Sequence, residues 1–150
     1  MTRIDNFPTP NKFIRFLYSI GLGFLLGHII LLLTTTGRRT GLPRTTPLQY
    51  EEQDGKFYVV SVSGIKSDWY KNIVHDPRVF VRVGTRNFRG QAECTTDHSR
   101  IADLLELRLE RHPALVRRIL EADGLPRNPS REEIEDYSRG LAMVEITPLD

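Results

Sequence analysis

The sequence holds a single cysteine, Cys94, in 150 residues, which excludes an intramolecular disulfide framework and points to a reducing, cytoplasmic setting. Histidine is scarce too. His28, His75, His98 and His112 stand at no spacing with that thiol that would assemble a metal site. No apolar run is long enough for a bilayer: Ile20 to Leu33 is fourteen residues with His28 inside it, against the ~20 a spanning helix needs. No small-residue cleavage site follows it, which argues against a secretory signal. The two glycine-rich phosphate fingerprints, G-x-x-x-x-G-K-[ST] and G-x-G-x-x-G, are absent as well. Lysine is rare, with 4 against 17 arginines.

What is present is the balance of a globular chain, 39% hydrophobic and 27% charged, long enough to bury a core unaided. The net charge of +2 conceals a gradient: residues 1–37 sum to +2, 38–90 to +5 and 91–150 to −5. The middle third therefore carries the anion-binding surface, and the last third a solvated acidic layer. Arginine suits bidentate recognition of phosphate or carboxylate, although genomic composition would produce the same excess.

Along the chain, Pro10 to Phe24 reads as a helix closed by Gly27, with Phe13, Phe16, Leu17 and Ile20 on one face beside Lys12 and Arg15. That face suits a membrane surface, a partner subunit or the chain's own barrel. Ile29 to Thr36 reads as a buried strand, an alternating segment ends near Glu52, and Gln53 to Lys56 turns a hairpin into Phe57 to Ser63, the three strands forming a meander. Ser67 to His75 is a short helix halted by Asp76-Pro77, and Arg78 to Val83 with Asn87 to Thr95 is a second hairpin. Asp97 to Ala122 has helical period with a break at Pro113. A loop at Gly124 to Ser130, an acidic helix at Arg131 to Ser138 and a closing strand at Leu141 to Thr147 follow. The expected architecture is α+β: a small, split β-barrel of about six antiparallel strands with peripheral helices, one domain over residues 1–150 with a helical insertion at about 97–138.

Two segments carry chemistry. In Thr34 to Leu48, TTTGRRTGLPRTTPL, two glycines, a proline and several hydroxyls surround Arg38, Arg39 and Arg44, so that amides and guanidiniums converge on an anion with several oxygens. A solvated basic turn has the same composition. In Val59 to Ile73, VVSVSGIKSDWYKNI, Ser63-Gly64 at a strand end precedes Trp69-Tyr70 on a short helix, offering small residues for a planar ring to approach and aromatics to wall it. Trp69 would equally well plug the barrel end. Ser63-Gly64-Ile65-Lys66 matches the acyl-transfer pattern S-x-x-K, but its companions K-T-G and S-D-N are missing.

Together these segments resemble the deazaflavin-dependent nitroreductase family of split β-barrel, flavin-type oxidoreductases, whose members bind coenzyme F420. The likeness rests on LLLTTTG at Leu31 to Gly37, GRRTGLPR at Gly37 to Arg44, Pro47-Leu48, Ser63-Gly64, Trp69-Tyr70-x-Asn72 and Asp76-Pro77-Arg78-Val79. It implies that Arg38, Arg39 and Arg44, with the backbone at Thr40 and Gly41, hold the coenzyme's phosphate and tail. It places Thr46, Pro47, Ser61, Ser63, Gly64 and Trp69 near the ring, with Lys66 supplying a charge that the prototype carries directly after the serine. Ser63 is the catalytic candidate, as a hydrogen-bond partner of ring or substrate. The implied activity is hydride transfer to a small organic acceptor such as a quinone or nitro compound. The prototype's tyrosine-rich substrate helix is replaced by Arg108 to Leu120, which has no tyrosine; Tyr137 stands nearby in sequence as a substitute.

Two rival readings keep other cofactors or none. FMN also offers a phosphate to the arginines, and a non-enzymatic module would sequester the coenzyme or hold nucleic acid on Arg78, Arg82, Arg86 and Arg89. Phe80 is the lone ring on that face, too few for base stacking, and no nucleic acid is expected. By analogy with related barrels a homodimer is expected, with peripheral membrane contact through the N-terminal helix as a further expectation.

Overall fold

The computed structural model describes residues 30–149. The helix read at Pro10 to Phe24, its stop at Gly27 and the first residue of the strand at Ile29 lie outside them. The elements run β1 (Ile30–Thr36), β2 (Pro43–Gln49), β3 (Glu51–Gln53), β4 (Lys56–Ser61), a 3-10 turn at Gly64–Lys66, α1 (Asp68–His75), β5 (Arg78–Val83), β6 (Arg86–Thr95), α2 (His98–Arg111), α3 (Pro113–Ala122), α4 (Arg131–Ser138) and β7 (Ala142–Leu149).

Seven strands form one sheet in the order β2-β1-β5-β6-β7-β4-β3, and every neighbouring pair is antiparallel. The three-strand meander expected before Ser63 is corrected by this order. β1 does pair with β2, Leu32 opposite Pro47, but β4 lies at the other end of the sheet, between β7 and β3. The reason is a bend at Tyr50: β2 and β3 are one stretch of chain interrupted by that residue, and they form the two opposite edges. Edges one residue apart oblige the sheet to curl round on itself, which is the split barrel reached by closure. β2 tolerates Pro43 and Pro47 because an edge strand has one unpaired side. The strand expected to reach Ser63 stops at Ser61, whose hydroxyl donates to the Gly64 carbonyl at 2.6 Å and turns the chain out of the sheet.

Period-two alternation sorts the strands between two cores. Phe57 and Val59 of β4 and Ala142, Val144 and Ile146 of β7 point inward with Leu31, Leu33, Val79 and Val81, and the barrel end is packed by Trp69, Tyr70 and Ile73 of α1. The alternate residues of the same strands, Tyr58, Val60 and Met143, face outward and meet Ile101, Leu104, Leu105 and Ile134 of α2 and α4. At Gly90 of β6, a β-carbon would lie 2.6 Å from Ile146 Cγ2, so the inner core there is filled by the neighbours of a missing side chain.

The helices begin where the sequence supplies caps. Asp97 accepts from the amides of Ser99 at 3.0 Å and Arg100 at 3.4 Å, Pro113 opens α3 at its first turn, and Ser130 with Glu133 closes a reciprocal capping box on α4.

Candidate functional site

The basic loop after β1 is held in one shape by its own backbone. The Gly37 amide donates to the Leu42 carbonyl at 2.8 Å, the Gly41 amide to the Gly37 carbonyl at 2.8 Å, and the Leu42 amide to Thr40 Oγ1 at 3.2 Å. A second set of bonds fastens the loop to α1. Asn72, buried on that helix, accepts at Oδ1 from the Arg38 amide at 3.2 Å and from Arg38 Nη1 at 2.9 Å. Its Nδ2 donates to Thr35 Oγ1 on β1 at 3.2 Å. Arg38 also reaches Asp68, through Nη2 to Oδ1 at 3.2 Å. Arg38 is thus the strap of the loop, its guanidinium committed to α1. Arg39 and Arg44 are exposed and have no ion-pair partner among the described residues, so the loop presents two uncompensated cations.

These residues wall a cleft of about 620 Å³, lined by Gly37 to Thr40 of the loop, Pro43 to Thr46 of β2, and Asp68, Trp69 and Asn72 of α1. Trp69 is both a core residue and a wall of this cleft. It belongs to the inner core, edge-on to Tyr70 with ring centroids 6.2 Å apart, and it also faces the cleft. Beside it, burial, with Cys94 adding to it, pushes the Tyr70 hydroxyl up, and burial pushes the Cys94 thiol up, so both stay neutral at ordinary pH.

The other residues singled out from sequence fall elsewhere. Ser63, Gly64 and Lys66 line a separate depression of about 690 Å³ together with Thr96 and Arg139. Pro47 lines a third, between β2 and the helices. Ser61 is buried, its hydroxyl shared between the Gly64 carbonyl at 2.6 Å and Ser67 Oγ at 2.8 Å. Gly41 shapes the loop without lining the cleft. The geometry therefore unites Arg38, Arg39, Thr40, Arg44, Thr46 and Trp69 and leaves the Ser63 group next door.

The sequence profile of the F420H(2)-dependent quinone reductase family matches residues 17–123, a stretch that contains the loop, the cleft and all of α1. The chain belongs to that family. Among curated quinone reductases of this kind, one from Mycobacterium tuberculosis is 35% identical over 82 residues, covering 49% of this chain and 55% of the relative. The chain thus spans about half the length of the curated relatives it matches. Solved structures agree on the fold of this quinone reductase family member. An F420-H2 dependent reductase superposes with a TM-score of 0.52 at 22% identity over 78% of this chain and 92% of that one. A conserved protein of M. tuberculosis reaches 0.60 at 18% identity over 100% of this chain and 86% of that one.

Two site residues escaped assignment from sequence. Asp68 and Asn72 stand four apart on α1, hence on one helix face, and that spacing is the signal that a polar pair on this half-buried helix serves the loop opposite.

Proposed function

We propose that this quinone reductase family member oxidises reduced coenzyme F420 and passes the hydride to a quinone. The observation that carries the reading is the pair of uncompensated arginines, Arg39 and Arg44, on a loop pinned by backbone bonds beside the Trp69 cleft. The residues fit the group. An anionic tail meets two guanidiniums and the loop backbone, and a planar ring meets a tryptophan anchored in the inner core. When bound, the reduced deazaflavin supplies the hydride from its C5.

The protein's own part is positional. Arg39 and Arg44 bind the phosphate, while Arg38, Asn72 and Asp68 fix the loop so that little ordering is left to do on binding. Thr46 offers a hydroxyl to the ring edge, and Trp69 excludes water from one side of the cleft. Ser61 leaves the ligand set because its hydroxyl is already engaged. Ser63, Gly64, Lys66 and Pro47 remain contributors from the neighbouring depressions, with Ser63→Ala as their test. No side-chain nucleophile is required.

A fluorescence titration with oxidised coenzyme F420, with FMN in parallel at the same salt, tests this directly. The expectation is binding of the deazaflavin and a loss of ~1.5 to 3 kcal/mol in Arg44→Ala, the worth of a charge-assisted hydrogen bond. Binding of FMN alone would refute the coenzyme while leaving the fold, and binding of neither would leave a non-enzymatic module. The same reading includes a homodimer, checked by sedimentation, and peripheral membrane contact through residues 10–24, checked by vesicle flotation. Among the described residues no helix is long and apolar enough to cross a membrane.

A further inference from the structure

The antiparallel register gathers strand ends at one end of the barrel. Thr36 closes β1 opposite Pro43 at the start of β2, and Ser61 closes β4 opposite Ala142 at the start of β7, with the end of β6 and the start of β5 beside them. The basic loop from Gly37 to Leu42, the 3-10 turn and α1 all emerge there. α1 packs Trp69, Tyr70 and Ile73 onto the barrel, which leaves its other side to solvent. Ile30, where β1 begins, lies at the opposite end with Gln49 of β2.

Exposed apolar side chains are normally scattered singly over a soluble surface. Here they are gathered. Six large hydrophobic side chains are exposed among the described residues, and four belong to the segments just named: Val62 at 74%, Val74 at 65%, Ile65 at 60% and Leu42 at 56%. The other two are Leu115 on α3 and Leu149 at the far end of β7. Cations stand among the four. Lys66 follows Ile65, and Lys71 lies three residues before Val74 on the exposed side of α1. Neither has an ion-pair partner among the described residues. The carboxylates of the stretch from Val62 to Asp76 are taken, Asp68 by Arg38 at 3.2 Å and Asp76 by Arg78 at 2.9 Å, and the loop has none. This end is therefore apolar and cationic, with no free carboxylate in either stretch.

We infer that this end of the barrel docks on an anionic lipid surface, with Leu42, Val62, Ile65 and Val74 entering the headgroup layer and Lys66 and Lys71 facing its phosphates. Aliphatic side chains on three separate segments, with lysines between them, suit a fluid and negatively charged layer, to which each lysine adds attraction. A second copy presenting the same end would set lysine against lysine. The contact is separate from the one proposed for residues 10–24: it is made by the loop, the turn and α1, at the end away from Ile30, and it needs neither coenzyme nor acceptor. Its consequence is orientation. The Trp69 cleft is lined by the same loop and helix, so docking holds the cleft at the edge of the layer in which apolar acceptors dissolve.

The test is flotation of the full chain, without coenzyme, on vesicles of phosphatidylcholine alone or mixed with phosphatidylglycerol. Wild type is expected to float with the mixed vesicles. Ile65→Ser combined with Val74→Ser, and separately Lys71→Glu, are each expected to bind them at least about fivefold more weakly. Leu149→Ser, at the far end, is expected to bind as wild type. These side chains are exposed, so the fold is spared. As a direct readout, a bimane dye on Ile65→Cys in a Cys94→Ser background should shift to the blue with the mixed vesicles, and one on Leu149→Cys should not. Wild type left unbound, Ile65 and Lys71 variants that bind as wild type, or an unshifted dye at position 65 overturns the inference. Binding carried by residues 10–24 alone gives the second of these outcomes. Variants that alter sedimentation and leave vesicle binding intact would make this end a protein interface and end the lipid assignment. Because no coenzyme enters, failure of deazaflavin binding would refute the redox reading and leave this result standing.

Discussion

Asp76 shows how much one side chain can settle. Its Oδ1 accepts from the Arg78 amide at 3.1 Å and from Arg78 Nε at 3.0 Å, and its Oδ2 from Arg78 Nη2 at 2.9 Å, so it ends α1 and starts β5 across Pro77. Its hydrogen bonds with Arg78 hold its pKa below the ordinary 3.8 against the opposing effect of burial. A carboxyl depressed in the folded state stabilises above its unfolded pKa, and that contribution is lost as pH falls through the folded value. Urea midpoints are therefore expected to drop below about pH 4 in wild type, and Asp76→Asn to flatten that drop. Gly90 makes a second residue-scale prediction. A methyl there would intrude on Ile146 at 2.6 Å and meet Val79 at 3.4 Å, so Gly90→Ala should cost ~1 to 3 kcal/mol by overpacking, read as a lower melting temperature with binding intact. For Asn72→Leu, the bonds to Arg38 and Thr35 are lost together. Coenzyme affinity should fall although Arg39 and Arg44 remain, and an unchanged affinity would return Asn72 to a purely structural role.

Among the elements, those governed by local chemistry were legible. Asp54 and Gly55 form a two-residue turn with φ of 54° and 78°, the left-handed pair that a type I′ hairpin demands and that the Asp-Gly dipeptide announces. Pro113 breaks the long helical period at the residue where α2 gives way to α3, and the acidic helix read at Arg131 to Ser138 is α4 over the same residues. Asp97→Ala should cost ~0.5 to 2 kcal/mol through the lost cap of α2, measured by chemical denaturation. Partnerships at a distance were not legible. Tyr50 has no composition that marks a bend, so β2 and β3 read as one segment and seven strands were counted as about six. The site divided for the same reason. Ser63 and Trp69 are six apart in sequence, yet with the 3-10 turn between them they line two separate depressions.

At the scale of the whole molecule, the charge gradient becomes a division of labour. The +5 of residues 38–90 includes Arg38, Arg39 and Arg44 at the cleft, and the −5 of residues 91–150 falls largely on the helices, where Arg131 pairs with Asp103 and Glu106 at 2.8 and 3.1 Å. Long-range attraction should then act on the coenzyme's anionic tail more than on its ring. Raising salt is expected to weaken coenzyme F420 binding more steeply than binding of the uncharged deazaflavin core, and parallel salt slopes would contradict that. The sheet order carries one more consequence. β7 is the last strand in sequence but an interior strand of the sheet, with Phe57 opposite Ile146 on one side and Cys94 opposite Val144 on the other. During synthesis the β3–β4 hairpin therefore gains its second strand neighbour only once residues 142–149 have been made. Until then the β4 edge that β7 covers in the finished sheet is unpaired, a transiently open edge of the kind that exposes a nascent chain to aggregation.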